Sequence, residues 1–363
     1  MKREGGMSVA LVAMCLALYI SNPDFLGASN AINTVRQVSM LGTFAIGIGF
    51  VIITGGIDLS IGSIIGLTGV LIAKLSSPTQ GGLSLWVGIP VALGVALTIG
   101  LAQALLITRL RLQPFIVTLG GMLAIRGVSQ TIAEGGTLSL SGSPLLDFAN
   151  GGYVKVGGEA LIPYPLVVFL VVMGLATYLL HFTIFGRYVY AIGGNRDAAE
   201  YSGINVRRVE ASTYIISAGT AGIAGICYAS YIGQMSQQIG IAYELYAIAA
   251  AVLGGCSLRG GEGTVLGIVI GSAVMRVIDN GINMFQLHYV DPDRVPRIWR
   301  LNPNWTYIII GGVILVAVIL DQTVHLVQAK RRIRTAGLAA ETPKAALASA
   351  NADGADAPAP PNP

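Results

Sequence analysis

The chain has 363 residues, 53% of them apolar and 11% charged, with a formal net charge of +4. A soluble domain carries roughly a quarter charged residues, so this few cannot cover a water-facing surface unless hydrocarbon replaces water around much of the chain. That excludes a soluble globular protein, and no nucleic-acid partner is expected.

A helix needs about 20 residues to cross roughly 30 Å of hydrocarbon, and about ten transmembrane spans are expected between residues 5 and 322. The first, residues 7–20 behind Lys2 and Arg3, has the length of a signal-peptide core. No small-residue cleavage pattern follows at Ser21-Asn22-Pro23-Asp24, so it reads as an uncleaved first span. Two spans lie within 35–75, separated by the polar interruption 54–60. Residues 85–108, 114–132, 163–185 and 210–231 follow, then 244–253, short enough for a half-span, then 264–284 and 305–320. The expected fold is all-α, a polytopic bundle with broken helices. The glycines, 48 in all, read as close-packing positions between helices. Trp86, Trp299 and Trp305 fall near span ends, where indole favours the interface.

Basic residues in short loops stay on the cytoplasmic side. With alternating spans, Lys2, Arg3, Arg109, Arg111, Arg187, Arg196, Arg207, Arg208, Arg259 and Lys330 to Arg334 share one side, which puts both termini in the cytoplasm. Lys74, Lys155 and the mixed-charge loop 287–304 fall on the other. Residues 1–334 form the expected membrane domain. From 335 to 363 the sequence is Ala, Pro, Asn and Gly without apolar periodicity, and a disordered cytoplasmic tail is expected.

On the cytoplasmic side, the stretch 186–208 is polar and its middle predicts a short helix. Asn195 is placed to cap the turn at 197–201, and Gly203 to end it in a left-handed conformation. Such a short helix has little stability of its own, so docking into a partner would hold it. An ordinary loop helix remains the plainer alternative.

Asp58, Arg126, Glu244, Arg276 and Asp279 lie in or beside apolar segments, where a charge costs roughly 2.5 to 3.5 kcal/mol. Asp58 and Glu244 each open a helix after an interruption, where a carboxylate caps free amides. Their matching contexts also point to inverted repeats, in which helix breaks line a pathway. Thr54 and Ser60 would then face solute at the first break. Arg126 is expected to pair with a carboxylate or reach the interface. Phe115, Tyr214, Tyr228, Tyr231, Tyr243 and Tyr246 offer apolar faces with polar tips suited to a sugar, although aromatics at helical spacing are more often packing. Asn280 and Asn283 share a helix face, for a polar path or for bonds to neighbouring helices.

Four stretches resemble the permease subunits of bacterial ABC importers for ribose, xylose, arabinose and related monosaccharides. They are Gly-Gly-Ile-Asp-Leu-Ser-Ile-Gly at 55–62, Pro-Phe-Ile-Val-Thr-Leu-Gly at 114–120, the loop 193–205, and Tyr243-Glu244-Leu245 continuing through 247–250 to Leu253-Gly254-Gly255. The likeness runs from about residue 31 to 321. It implies two permeases, two ATP-binding cassette subunits that bind the ATP, and a periplasmic sugar-binding protein. It also implies that Gly193, Gly194, Asn195, Ala198, Ala199, Ser202, Gly203 and Ile204 belong to a coupling helix seated in the ATPase. The pathway candidates are Gly56, Asp58, Ser60, Thr118, Glu244, Tyr246 and Asn280. Tyr246 departs from the family, which often carries an acid there, and loop 287–304 is longer than expected.

No Gly-x-x-x-x-Gly-Lys-Ser/Thr loop occurs, so energy must come from a separate subunit or an ion gradient. An ion-coupled secondary transporter, with Asp58, Glu244 or Asp279 carrying a proton or cation, is the alternative. Neither an enzyme nor a metal site is expected. His181, His288 and His325 lie near span ends without metal-ligand spacing, and Cys15, Cys227 and Cys256 are odd in number and read as buried hydrophobes.

Overall fold

Without water to satisfy backbone amides, an apolar chain closes its hydrogen bonds within helices, and helices dominate the computed structural model of this protein. It describes residues 2–323 apart from 79, 147, 149–152, 157–158, 237, 291–295, 301, 303–304, 317 and 320–321. The helices are α1 (Lys2–Ser21), α2 (Ala28–Ile53), α3 (Ile61–Ser76), α4 (Leu85–Thr108), α5 (Pro114–Ile132), α6 (Tyr164–Phe182), α7 (Ile184–Gly194), α8 (Arg196–Tyr201), α9 (Val206–Ile232), α10 (Tyr243–Leu253) and α11 (Val265–Met284), followed by α12 (Trp305–Val316).

Among the described residues, seven helices are long and apolar enough to cross a membrane: α1, α2, α4, α5, α6, α9 and α11. The remaining apolar segments form the shorter helices α3, α10 and α12. The expected span 163–185 ends at Phe182, because Thr183 is extended and its Oγ1 accepts from the Gly186 amide to start α7. The expected span 210–231 begins four residues early, because the Asn205 side chain accepts from the Arg208 amide and caps α9.

The all-α expectation omitted three two-stranded ribbons, which join β1 (Thr137–Ser139) to β4 (Gln234–Ser236), β2 (Tyr153–Val156) to β3 (Glu159–Pro163), and β5 (Gln286–Val290) to β6 (Pro296–Arg300). The last ribbon falls almost wholly within the 287–304 loop, and residues 291–295 between its strands lie outside the described residues. The chain divides into two compact units, Met1–Ile314 and Leu315–Pro363. In the second, the described residues are helical, and the expected tail 335–363 lies outside them.

The core sits between α2 and α9. α2 is buried throughout 39–53, and small residues allow the approach: a Cβ on Gly47 would overlap Thr220, and one on Gly100 of α4 would lie 2.5 Å from Ala218 Cβ. Contacts along α2 and α9 run in opposite senses. Asn33 bonds Tyr231, the Phe44 ring lies tilted beside Tyr228, and Gly56, just beyond α2, abuts Tyr214. α2 and α9 are therefore antiparallel.

Each long helix is followed by an interruption and a short helix. Residues 54–60 lead from α2 into α3, and residues 233–242 lead from α9 into α10. α3 runs with α9, since Ile65 and Thr68 meet Gly225 and Gly69 meets Met235. α10 runs against α11, with Ala250 on Gly271 and Gly254 on Gly267. α11 in turn opposes α2, with Ile268 on Gly49 and Asn280 on Asn30. The two long-break-short units thus point in opposite directions, the relation the sequence suggested.

Candidate functional site

The two short helices begin beside one another. A Cβ on Gly62, in the first turn of α3, would strike Glu244 of α10 and the Gly240 carbonyl. Arg126 of α5 also reaches this point, its Nη2 donating to the Gly240 carbonyl at 3.4 Å. Glu244 is 8% exposed, and its Oε2 has no hydrogen-bond partner among the described residues.

On the other side of α3 lies Asp58, fully buried. Its Oδ1 accepts from the Ser60 amide at 2.9 Å and the Ser60 hydroxyl at 2.7 Å, and its Oδ2 accepts from Ser217 Oγ of α9 at 2.7 Å. Asp58 therefore does not cap α3 as expected. Ser60 occupies the cap position without a side-chain cap bond, and Asp58 ties the break to α9 instead. Thr118 Oγ1 bonds the Pro114 carbonyl at 2.9 Å and reaches the Ile57 carbonyl at 3.4 Å, holding α5 against the same break. Ser60 Oγ and Gln103 Oε1 lie 3.1 Å apart.

Ser217 sits near the middle of α9, which has 27 residues, so the junction lies at mid-depth. Asp58, Ser60 and Thr118 have essentially no exposed surface. They form a sealed junction and do not line a cavity. Ser217 and Gln103 escaped the sequence reading because a serine or glutamine on an apolar helix carries no local mark of its distant partner.

Tyr246 and Asn280 lie elsewhere. The Arg276 guanidinium stands 5.4 Å over the Tyr246 ring, donates to Tyr228 Oη at 3.1 Å, and pairs with Asp279 at 3.2 Å. Asn280 donates to Asn30 Oδ1 at 2.9 Å and Thr34 Oγ1 at 2.7 Å, one of the two uses foreseen for it, whereas Asn283 donates to the Asp279 carbonyl of its own helix. Nearby, an open polar cavity of about 800 Å³ is lined by Asp24, Asn30, Asn33 and Arg36 among others. Among the described residues, no three His, Cys, Asp or Glu side chains gather as a metal site would require.

The opposite face carries α7 and α8. α7 was not expected as a helix. Its last turn packs on the end of α2 and on the 254–264 turn, where the Gly261 amide donates to the Ile53 carbonyl at 2.8 Å. A Cβ on Gly193 would collide with both, whereas one on Gly194 would meet nothing within 4 Å.

α8 has six residues and ends as the sequence predicts. The Asn195 side chain accepts from the Ala198 amide at 2.9 Å. Gly203, at φ +82, donates to Glu200 O, and Ile204 donates to Ala199 O, satisfying the last carbonyls. Asn195→Ala should cost about 1 kcal/mol of local stability, read as roughly fivefold faster amide exchange across 196–201, while Asn195→Asp stays near the parent. Equal protection in the alanine variant would mean that the cap does not hold α8.

Arg196 clamps α8 to α9 through two bonds to the Glu210 carboxylate, both 2.9 Å. That carboxylate holds the guanidinium above its ordinary pKa. Ala199 is buried, so it is a packing residue and not a contact surface. Tyr201, absent from the predicted set, is 92% exposed beside exposed Asp197, Ala198 and Glu200.

The family model described as branched-chain amino acid transport system / permease component matches residues 30–318. The ribose import permease of Haemophilus influenzae is 35% identical over 280 residues, 77% of this chain and 85% of that protein. The ribose import permease of Bacillus subtilis is 35% identical over 319 residues, 87% and 92% respectively. The galactose/methyl galactoside import permease of Salmonella typhimurium is 33% identical over 334 residues, 88% and 94%. No solved structure matches. With the resemblance in residues 55–62 and 193–205 and a match over most of each relative, the chain belongs to this permease-component family.

Proposed function

We propose that the chain is the membrane permease of an ATP-driven importer and conducts a monosaccharide delivered by a periplasmic binding protein. The observation that carries this reading is α8, a six-residue helix with capped ends, clamped by Arg196, presenting Tyr201 almost wholly to solvent. A short helix fixed at its root with an exposed aromatic is a docking knob, since exposed aromatics anchor interfaces. The ribose and galactose relatives favour a monosaccharide over the amino acids in the family description.

The partners follow. Two ATP-binding cassette subunits receive α8 from two permease copies, and this chain itself carries out no bond-making chemistry. Gly193, Gly194, Asn195, Ala198, Ser202, Gly203 and Ile204 build the coupling segment, with Tyr201 added and Ala199 acting inside it. Gly56, Asp58, Ser60, Thr118, Glu244, Tyr246 and Asn280 belong to the moving pathway, where the sealed junction opens when ATP binding shifts the conformational equilibrium. The basic residues of α7, α8 and the α4–α5 turn support a reading in which this face and both termini lie on the cytoplasmic side of a bacterial inner membrane.

The test is purification of the tagged chain in mild detergent with its co-expressed neighbours. An ATPase should accompany it, and Ala198→Glu with Tyr201→Ala should reduce ATP-driven uptake more than tenfold, as loss of a central anchor does, while insertion is unchanged. Normal uptake in that double variant removes the coupling assignment. Uptake by a lone chain that collapses with an ion gradient would establish the secondary-transporter alternative.

A further inference from the structure

At the root of α8 lies a cavity of about 290 Å³, walled by the α2–α3 break (Thr54, Gly56), the α4–α5 turn (Arg111, Leu112) and α9 (Glu210, Tyr214). It adjoins a second hollow of about 460 Å³ that shares Arg111 and Arg196 and adds Asp197, Glu200 and Arg207. The first volume is at the small end of ligand pockets, about 300 Å³.

The chemistry of the walls narrows the occupant. Tyr214 is 2% exposed, and its hydroxyl has no hydrogen-bond partner among the described residues, although a buried hydroxyl normally has one. It points at Gly56 in the cavity wall, where an added Cβ would lie 2.5 Å from the oxygen. Across the joined hollows Arg111, Arg196 and Arg207 face Asp197, Glu200 and Glu210, three cations against three anions. A balanced wall favours a neutral ligand over an ion. The Arg196–Glu210 pair, held by two bonds beside charged side chains and a buried phenol, suits hydroxyls that both donate and accept. Thr54 Oγ1 already donates to the Val51 carbonyl, so it offers the cavity its lone pairs.

We propose that this cavity is a cytoplasm-facing site for a neutral polyol of monosaccharide size, distinct from the sealed mid-depth junction. This rests on the sugar-permease reading above. The site accepts internal product, and its occupant bridges the α4–α5 turn to the Arg196–Glu210 clamp. A bound sugar thereby restrains α8 and slows further import.

The experiment uses the full chain in nanodiscs with labelled D-ribose and labelled D-galactose in equilibrium dialysis, together with uptake by the assembled importer in vesicles preloaded with unlabelled sugar or left empty. The parent should bind one of the two sugars saturably, and preloading should slow its uptake. Tyr214→Phe, which removes only the hydroxyl, should weaken binding about fivefold, one net hydrogen bond. Leu112→Trp, at an exposed rim position, should plug the mouth and abolish both the binding and the effect of preloading. The proposal is overturned if the importer takes up sugar but neither variant changes binding or the preloaded-to-empty ratio. It is likewise overturned if the parent binds no sugar while uptake is intact. Absence of any sugar uptake with its ATPase present would overturn the sugar-permease reading itself, and the site with it.

Discussion

Gly193→Ala should destroy the protein's stability, while Gly194→Ala, one residue away, should leave it intact. Alanine is the better helix former by about 1 kcal/mol, so propensity alone favours both changes. At position 193 the new methyl would lie on the Ile53 carbonyl and the Gly261 amide, two backbone groups already bonded to one another. Neither can step aside without pulling α2 from the 254–264 turn, and overpacking of this kind costs about 3 kcal/mol. The clash outweighs the propensity. Monodisperse yield and thermal unfolding of the two variants measure the difference. A Gly193→Ala protein as stable as the parent would show that α7 does not pack on this junction.

Asp58→Ala should be the next most damaging change, by about 3 to 4 kcal/mol, because it orphans the Ser217 hydroxyl and the Ser60 amide in a buried junction and leaves the Ser60 hydroxyl only Gln103 Oε1. Asp58→Asn retains an acceptor oxygen and should cost markedly less. The buried thiols of Cys227 and Cys256 provide the readout, since a thiol-reactive dye labels them only when the bundle opens. The alanine variant should label at a lower temperature than the asparagine variant. Coincident transitions would mean that the carboxylate does not hold the break to α9.

Much of the scaffold was legible without coordinates. Apolar length fixes where helices must lie, because hydrocarbon penalises every unbonded amide: of about ten expected spans, seven reappear among the described residues as helices long enough to cross and three as the shorter helices α3, α10 and α12. The ends of α8 were legible for the same local reason: Asn195 bonds an amide three residues on, and Gly203 supplies a backbone turn other residues resist. The matching contexts of Asp58 and Glu244 likewise revealed the opposed units.

The sites were less legible. α7 was hidden because Gly193 and Gly194 lower helix propensity, and only the packing at Ile53 and Gly261 explains the first of them. The strands β5 and β6 went unseen in a stretch that also carries charges and prolines. Ala198 and Ala199 are alike in sequence, yet one is exposed and the other buried.

By itself, then, the sequence determined that this protein is a helical membrane permease, where its helices break, and how the short helix α8 is capped, since solvent transfer and capping act within a few residues. The tertiary structure alone decided that Asp58 belongs to Ser217, 159 residues away, that Tyr214 faces a cavity under α8, and which of two neighbouring glycines is indispensable. Those contacts form between distant segments, and the identity of one partner leaves no trace in the residues around the other.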